Sequence, residues 1–285
     1  MTNKLLALFG LKWNPFSSDV PVEALWKSAA IEHFCWRMEG LVREGGFALI
    51  TGDPGTGKSV ALRILAHQLE NQPDVVTGVL TRPQSNLADF YREIGTLFGA
   101  SISPHNRWRG FKSLRQTWLT HVDATRSRPV ILVDEAQEMP PAVLSELRIL
   151  SSTEFDSRSI LTVVLCGDHR LTQHFRRDDL LPIASRIKVR LALEYLSPSE
   201  LLDWLRYVLA QAGQAQLMTT EVMTTLAEHA AGNLRVIATM ANELLAMALR
   251  RELSQIDQKL YFEVFSPQPR THTDSKGIEH GAAQL

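Results

Sequence analysis

Cysteine and histidine patterns exclude two kinds of site in this 285-residue chain. The only two cysteines, Cys35 and Cys166, are far apart in sequence and lie among apolar residues. A disulfide framework is therefore excluded, and a reducing compartment is favoured, so we expect a cytoplasmic protein. The nine histidines are scattered and show none of the spacings typical of metal ligands.

Excess charge and long apolar runs are also lacking. The formal net charge is -1, from 30 basic and 31 acidic residues, so no global field draws the chain to nucleic acid or to a membrane surface. Any such binding has to come from a local patch. No apolar run approaches the roughly 20 residues of a membrane span. The apolar start, residues 1–10, lacks a small-residue cleavage site, so we expect neither a signal peptide nor a membrane partner.

Strand and helix patterns alternate through the middle of the chain. Apolar segments typical of buried strands lie at 46–51, 75–80, 129–133, 160–166 and 187–193. Helical patterns lie between them, at 57–70, 87–98, 110–124 and 140–152. Such alternation predicts an α/β fold, with a parallel five-stranded sheet between layers of helices.

The flanking regions differ from this core, and together they predict four parts. Residues 1–45 form a helical lead-in to the α/β core at 46–195. Strand patterns stop after Ser197, and helical patterns at 198–212, 219–230, 233–251 and 254–264 predict a small all-α domain over 196–265. Residues 266–285 are polar and contain prolines and glycines, which predicts a flexible tail.

The most specific motif is G-x-x-x-x-G-K-[ST] between the first strand and the first core helix. Glycines let successive backbone N–H groups point at phosphate oxygens, and the helix that follows adds its positive end. Lys58 is expected to contact the β- and γ-phosphates of ATP, and Ser59 to ligate Mg²⁺. The predicted nucleotide contacts here are Gly52, Pro54, Gly55, Thr56, Gly57, Lys58, Ser59 and Val60.

A second motif supplies carboxylates. Residues 130–135 are an apolar strand that ends in Asp134 and Glu135. A carboxylate at the carboxyl end of a parallel strand faces the ligand crevice. We expect Asp134 to hold Mg²⁺ beside Ser59, and Glu135 to orient and deprotonate the attacking water. A strand that simply ends in a polar turn would look the same in isolation, and the position after a phosphate loop favours the catalytic interpretation.

These two motifs together, with the V-D-E-A-Q box at 133–137, resemble those of AAA+ ATPases. The resemblance implies a P-loop AAA+ core followed by an α-helical lid. It places Asp168, at the end of L-T-V-V-L-C-G-D, at the sensor 1 position, where asparagine or glutamine is more usual. Arg235 in G-N-L-R is similar to the sensor 2 arginine, which contacts nucleotide in the same subunit.

The same resemblance implies an arginine finger. Arg186, in L-P-I-A-S-R, occupies the corresponding segment and would reach the γ-phosphate held by a neighbouring subunit. Arg176 and Arg177 are competing candidates for this role. A finger of this kind requires self-association, as a ring or a helical filament.

The opening residues 9–16 (F-G-L-K-W-N-P-F) resemble the start of the ExeA/GspA group. That group includes envelope secretion ATPases and transposon-encoded ATPases akin to TnsC and MuB. Secretion-type members carry a membrane span and a peptidoglycan-binding region after the ATPase. The chain ends soon after the lid, which favours the transposition branch as an expectation.

A basic and aromatic cluster at 107–112 (R-W-R-G-F-K) gives this branch a DNA surface. In the TnsC-like group, the equivalent insertion and the loop after the second strand track the DNA backbone. The resemblance thus implies duplex contacts by Arg82, Arg107, Arg109 and Lys112. The alternative is a solvated helix start with one buried tryptophan.

The sequence therefore favours an ATP-dependent regulator of DNA transposition. It would oligomerise on duplex DNA with ATP, mark a target, and recruit a transposase, with a targeting protein as a further partner. The alternative is an ExeA-like secretion or envelope-assembly ATPase acting on protein partners without nucleic acid. A third hypothesis is a nucleotide-dependent scaffold without useful turnover.

Overall fold

The computed structural model describes residues 2–100, 107–154 and 157–265. The tail predicted over 266–285 lies outside the described residues. The helices are α1 Thr2–Phe9, α2 Ala29–Glu44, α3 Lys58–Glu70, α4 Leu87–Leu97, α5 Arg107–Thr120, α6 Pro141–Ser151, α7 His169–His174, α8 Leu181–Ala184, α9 Pro198–Gln211, α10 Thr220–His229, α11 Leu234–Arg250 and α12 Gln258–Phe265. The strands are β1 Gly46–Gly52, β2 Val75–Leu80, β3 Arg128–Val133, β4 Ser152–Thr153, β5 Arg158–Ser159, β6 Thr162–Gly167 and β7 Ile187–Leu193. Short turns of 3-10 helix lie at Val22–Ala24 and Ala136–Glu138, and a π-helical turn at His121–Thr125.

The five long strands form one parallel sheet in the order β2-β3-β6-β1-β7, which confirms the predicted α/β architecture. Strand β6 lies between β1 and β3 and is buried along its whole length. The register aligns Leu49 of β1 with Leu165 of β6, and Leu165 with Val133 of β3. Because parallel strands end at the same edge, the segments that follow β1, β6 and β3 lie side by side.

Helices cover both faces of this sheet, as a parallel sheet requires. One apolar core contains residues of α2 and α3, and the other contains residues of α4 to α8. In the second core the fully buried Trp118 of α5 meets Phe98 edge to face, with ring centroids 5.4 Å apart. The two cores lie on opposite faces of the sheet, since Phe47 and Leu49 of β1 belong to one and Ala48 and Ile50 to the other.

A third apolar core joins helices α9 to α12, which matches the predicted helical region after the sheet. Helix α9 begins at a capping box formed by Ser197 and Glu200. Leu5 and Phe9 of α1 belong to this same core, and Lys12 N donates to Ala212 O at 2.9 Å. The first helix of the chain therefore packs on the C-terminal helices, whereas α2 packs on the sheet.

Small differences from the expected elements have simple causes. The antiparallel pair β4 and β5 has two residues per strand, which is too short for a periodic pattern. The segment expected to be helical over 110–124 begins earlier and ends in the π-helical turn. Among the described residues, no helix combines the length and apolarity needed to cross a bilayer.

Candidate functional site

The loop after β1 has the backbone of an anion cradle. Gly55 and Gly57 adopt φ of +86° and +97°, a region that glycine enters without strain. A side chain at Gly52 would meet Leu193 O at 2.5 Å. Gly57 is the N-cap residue of α3, and in the described part of the chain no side chain caps that helix end. The first-turn N–H groups of α3 thus point towards the loop with the positive end of the helix dipole behind them.

Lys58 and Thr56 are both buried in this loop. The Lys58 ammonium donates to Asp53 O at 3.1 Å, and Thr56 Oγ1 donates to the same oxygen at 2.9 Å. Within the described ranges, no carboxylate lies within ion-pair distance of Lys58. A buried ammonium without a counter-ion favours binding of an anion. Ser59 is exposed in the first turn of α3, and the partly buried Val60 follows it.

The acidic pair lies at the same edge, after β3. Asp134 Oδ1 accepts a hydrogen bond from Glu135 N at 2.9 Å. Glu135 adopts φ 51° and ψ 39°, a left-handed conformation that non-glycine residues rarely take. This backbone turn directs the chain sharply away from the strand, and it leaves the Glu135 side chain exposed.

Sequence reasoning gave no role to Gln137, which the structure brings into this edge. Its side chain is buried, with Nε2 donating to Glu135 Oε2 and Oε1 accepting from Asp168 N at 3.2 Å. The signal in the sequence was its place at the end of the V-D-E-A-Q box at 133–137, between Ala136 and Glu138. Gln137 thus connects the segment after β3 to the segment after β6.

Asp168 lies at the expected position, but its carboxylate has other partners. It caps α7 by accepting from Arg170 N at 2.8 Å, and it accepts from Arg170 Nε at 2.9 Å. Partial burial alone would raise the pKa of Asp168, but the hydrogen bonds from Arg170 outweigh it and hold that pKa below its ordinary value. The structure therefore brings the backbone N–H of Asp168, and not its carboxylate, to Gln137.

Cys166 lies below this edge, on β6. Burial, and then the Asp134 carboxylate nearby, raise the pKa of the Cys166 thiol far above its usual value. Burial likewise raises the pKa of Cys35 to about 11. Both cysteines are free and buried, so both remain protonated thiols and neither has the thiolate character of a nucleophile.

The C-terminal helices contact the phosphate loop directly. Leu234 N donates to Gly55 O at 3.0 Å, and Asn233 Nδ2 donates to Pro54 O at 3.0 Å. Asn233 Oδ1 also caps α11 by accepting from Arg235 N and Val236 N. Arg235 is exposed in the first turn of α11, two residues after the contact with Pro54. The position expected for sensor 2 is thus held next to the loop.

The three candidate finger arginines lie around α8, outside this cluster. Arg186, two residues after α8, is partly buried and donates to Pro182 O of that helix. Arg177 pairs with Asp179 at 3.0 Å, and Arg176 is exposed. Contact with a neighbouring subunit is not a property of one chain, so Arg186, Arg176 and Arg177 all remain candidates.

Helix α5 presents aromatic and basic side chains to solvent. Trp108 is 64% exposed and stacks on Phe111, with centroids 5.7 Å apart, and Lys112 Nζ lies 4.9 Å from the Trp108 ring centre. Trp108 is therefore not the buried tryptophan of the alternative interpretation. Arg109 is exposed on the same helix. The side chain of Arg107 lies outside the described residues.

Two other arginines, one in the turn before α4 and one on α5, have clear positions. Arg82 is exposed in the turn before α4, where Ser85 N donates to Arg82 O at 3.1 Å. Arg115 is bound to the end of α6, with its guanidinium donating to Ile149 O at 3.2 Å and Ser152 O at 2.7 Å. Arg115 thus has a structural role, whereas Arg82 is exposed to solvent.

We expect Gly55→Ala to lower both the stability of the chain and its affinity for ATP. The new Cβ would overlap Asn233 Oδ1, in a backbone conformation that costs an L-residue about 1–2 kcal/mol. The loop and the start of α11 must both move, so ATP affinity should fall at least tenfold, measured by fluorescence titration. Gly10→Ala is the control, since Gly10 also has positive φ (64°) and no atom near its Cβ position. Equal affinities of the two variants would contradict this prediction.

Comparison with known families agrees with this architecture. Residues 42–175, a little under half of the chain, match the family model described as an AAA domain. The general secretion pathway protein A of Aeromonas hydrophila is 33% identical over 251 residues, which are 85% of this chain and 44% of that protein. The chain thus spans less than half the length of this relative.

Solved structures show the same fold at low identity. The Cdc6p protein of Pyrobaculum aerophilum superposes with a TM-score of 0.68 at 16% identity, covering 85% of this chain and 67% of that one. The Aeropyrum pernix ORC1 protein, solved in complex with DNA, has a TM-score of 0.66 at 17% identity and covers 88% and 67%. The chain therefore has a P-loop AAA-type fold, and the matched domain and fold together support an ATPase at the general level.

Proposed function

We propose that this chain, with its P-loop AAA-type fold, is an ATPase that assembles on duplex DNA when ATP is bound and regulates DNA transposition. The observation that carries the ATPase proposal is that the phosphate loop, the acidic pair and the start of α11 come together at the carboxyl edge of the sheet. A loop with an uncapped helix end and a buried ammonium that has no carboxylate partner among the described residues is suited to a triphosphate. Phosphoryl transfer mainly requires such positioning and charge neutralisation.

In this proposal the side chains have distinct roles. Lys58 and the N–H groups of the loop bind the β- and γ-phosphates. Glu135 orients the attacking water and takes its proton. Arg235 contacts the same nucleotide from α11, and Arg186 contacts a neighbour's nucleotide. The carboxylate of Asp168 is occupied by Arg170, so its proposed contribution as sensor 1 is limited to the position of its backbone.

The residues present fit Mg²⁺ as the cofactor. The described residues contain no group of three or more side chains that could hold a metal alone. Mg²⁺ typically takes one or two protein ligands together with phosphates and water, and the exposed Ser59 and the Asp134 carboxylate are ligands of that kind. Bound there, Mg²⁺ would neutralise charge on the phosphates.

The proposed DNA surface combines the exposed side chains of Arg82, Arg109 and Lys112 with Arg107, the first residue of α5. These cations suit phosphate oxygens and would contribute little base-specific readout. A few contacts per subunit suffice if many subunits line one duplex, because each neutralised phosphate adds to the counterion-release term. Oligomerisation thus accounts for DNA binding by a chain of net charge -1.

We expect the double variant Arg82→Ala, Lys112→Ala to bind duplex DNA more weakly in the presence of a slowly hydrolysed ATP analogue. The slope of log affinity against log salt should fall by about one unit for each phosphate that the variant no longer neutralises. Fluorescence anisotropy with a duplex oligonucleotide across a salt series measures both quantities. Lys259→Ala, which removes an exposed lysine on α12, is the matched control and should leave the slope unchanged. Wild-type protein that binds no duplex even at low salt would remove DNA from the proposal.

A second candidate function is supported by the secretion relative. The 33% identity to general secretion pathway protein A favours an ATPase of secretion or envelope assembly that acts on protein partners. Neighbouring genes distinguish the two candidates: a transposase gene supports the first, and secretion components support the second. ATP-dependent DNA binding would favour the first candidate. In that candidate function the partners are a transposase and a targeting protein, and the compartment is the cytoplasm.

A further inference from the structure

We infer that Gln137 is a positioning residue for ATP hydrolysis, which holds the Glu135 carboxylate through its side-chain amide. This inference depends on the proposed role of Glu135 as the base. Gln137 lies in the 3-10 turn that follows Glu135 and is only 4% exposed. Both ends of its amide have partners, Glu135 Oε2 at the nitrogen and the Asp168 N–H at the oxygen.

These partners require an amide. The Glu135 oxygen needs a donor, and the Asp168 N–H needs an acceptor, which only a carboxamide in this orientation supplies together. A glutamate at this position would place a second carboxylate against Glu135, and a methionine would satisfy neither partner. The chemistry at position 137 is therefore specified by the two groups that it joins.

The end of β6 is shaped around this amide. A Cβ at Gly167 would lie 2.5 Å from Gln137 Oε1 and 3.0 Å from Leu171 Cδ2. Gly167 is thus the small residue that lets the amide reach the Asp168 N–H. A second link joins the same two segments, since Arg170 pairs with Glu138 at 3.0 Å.

This connection fixes a side chain that otherwise has freedom to move. Glu135 is exposed, and its side chain has three rotatable bonds. Gln137 binds one carboxylate oxygen and leaves the other for a water molecule. Because β6 is hydrogen-bonded to both β1 and β3, the amide holds Glu135 relative to the strand that leads into the phosphate loop. Misplacement of a catalytic group by about 1 Å can cost up to ~100-fold in rate.

The test is a double-mutant cycle with Glu135→Gln. In the wild-type background, Gln137→Met and Gln137→Glu should each lower kcat about tenfold or more, with KM for ATP and nucleotide affinity changed by less than twofold. In the Glu135→Gln background, the same substitutions should lower kcat no further, because they act through the carboxylate. Equal losses in both backgrounds, or a change in affinity alone, would overturn the inference.

Two more variants separate positioning from folding. Gly167→Ala should displace the Gln137 amide without altering it and lower kcat by a similar factor, again only when Glu135 is present. Gln255→Met makes the same side-chain change on the exposed surface near α12 and should leave kcat unchanged. Normal turnover in Gly167→Ala would count against the inference.

The outcomes also separate this inference from the proposed function. If Glu135→Gln slows hydrolysis but the Gln137 variants do not, only the positioning role of Gln137 is wrong. If Glu135→Gln turns over like wild type, or wild type does not hydrolyse ATP, the role of Glu135 is wrong and the inference falls with it.

Discussion

Replacing Lys58 with alanine is expected to lower the affinity for ATP about 100-fold, the effect of losing roughly 3 kcal/mol of hydrogen bonding to a charged group. Lys58 is 8% exposed, and among the described residues its ammonium is bound to a backbone carbonyl of the loop and to no carboxylate. It is therefore available to phosphate without breaking an ion pair. Isothermal titration or a fluorescent ATP analogue measures the change.

The stability of the variant distinguishes a defect in binding from a defect in folding. Since Lys58→Ala removes a buried charge without a carboxylate partner in the described chain, the Tm of the nucleotide-free variant should not fall. The rise in Tm that ATP produces in the wild type should disappear. Lys188→Ala is the control, because Lys188 is exposed and pairs with Glu44 at 3.1 Å. A Lys58→Ala variant that binds ATP like Lys188→Ala would exclude the phosphate loop as the nucleotide site.

The sheet and the phosphate loop were predictable because their signals are local. Strand patterns have a fixed period, and the G-x-x-x-x-G-K-[ST] spacing is required by the backbone itself, as the positive φ of Gly55 and Gly57 demonstrates. The positions of Asp134 and Glu135 at the same edge then followed from strand direction alone.

The partners of individual side chains were not predictable in this way. Asp168 occupies the expected position, yet it binds Arg170, and Arg115 binds the end of α6 although it lies three residues after the basic cluster at 107–112. Asp168 is engaged by the first turn of the helix that it caps, whereas the partner of Arg115 depends on the distance between two helices, which no local pattern encodes. Gln137 was missed for the same reason, since its two partners come from different strands.

The packing of the first residues was also not predictable from the sequence. The sequence places Phe9 and Phe16 in the lead-in to the α/β core, but in the structure they pack with α9 to α12. Apolar residues in a short helix predict burial without saying against which element. This packing links the start of the chain to the helices that contact the phosphate loop.

Glu135→Gln is expected to retain ATP and to lower the hydrolysis rate by about 10²- to 10⁴-fold, the usual contribution of a general base. The exchange is nearly isosteric, and an amide oxygen at position 135 still accepts from Gln137, so the orientation of the side chain persists while its basicity is removed. Phosphate release measures turnover, and the ATP-induced rise in Tm measures binding. Glu228→Gln, on the exposed face of α10, is the control and should hydrolyse ATP like wild type. Turnover of Glu135→Gln at the wild-type rate would assign the base role elsewhere.

The same variant separates binding of ATP from its hydrolysis in DNA association. If ATP binding assembles the protein on duplex DNA and hydrolysis releases it, Glu135→Gln with ATP should hold DNA as wild type does with a slowly hydrolysed analogue. Dissociation after dilution should then slow in proportion to the loss of turnover. If the variant instead releases DNA at the wild-type rate while hydrolysis is slow, ATP turnover does not control release. Wild type that binds and releases ATP without phosphate production would favour the nucleotide-dependent scaffold, for which the Glu135 carboxylate has no required role.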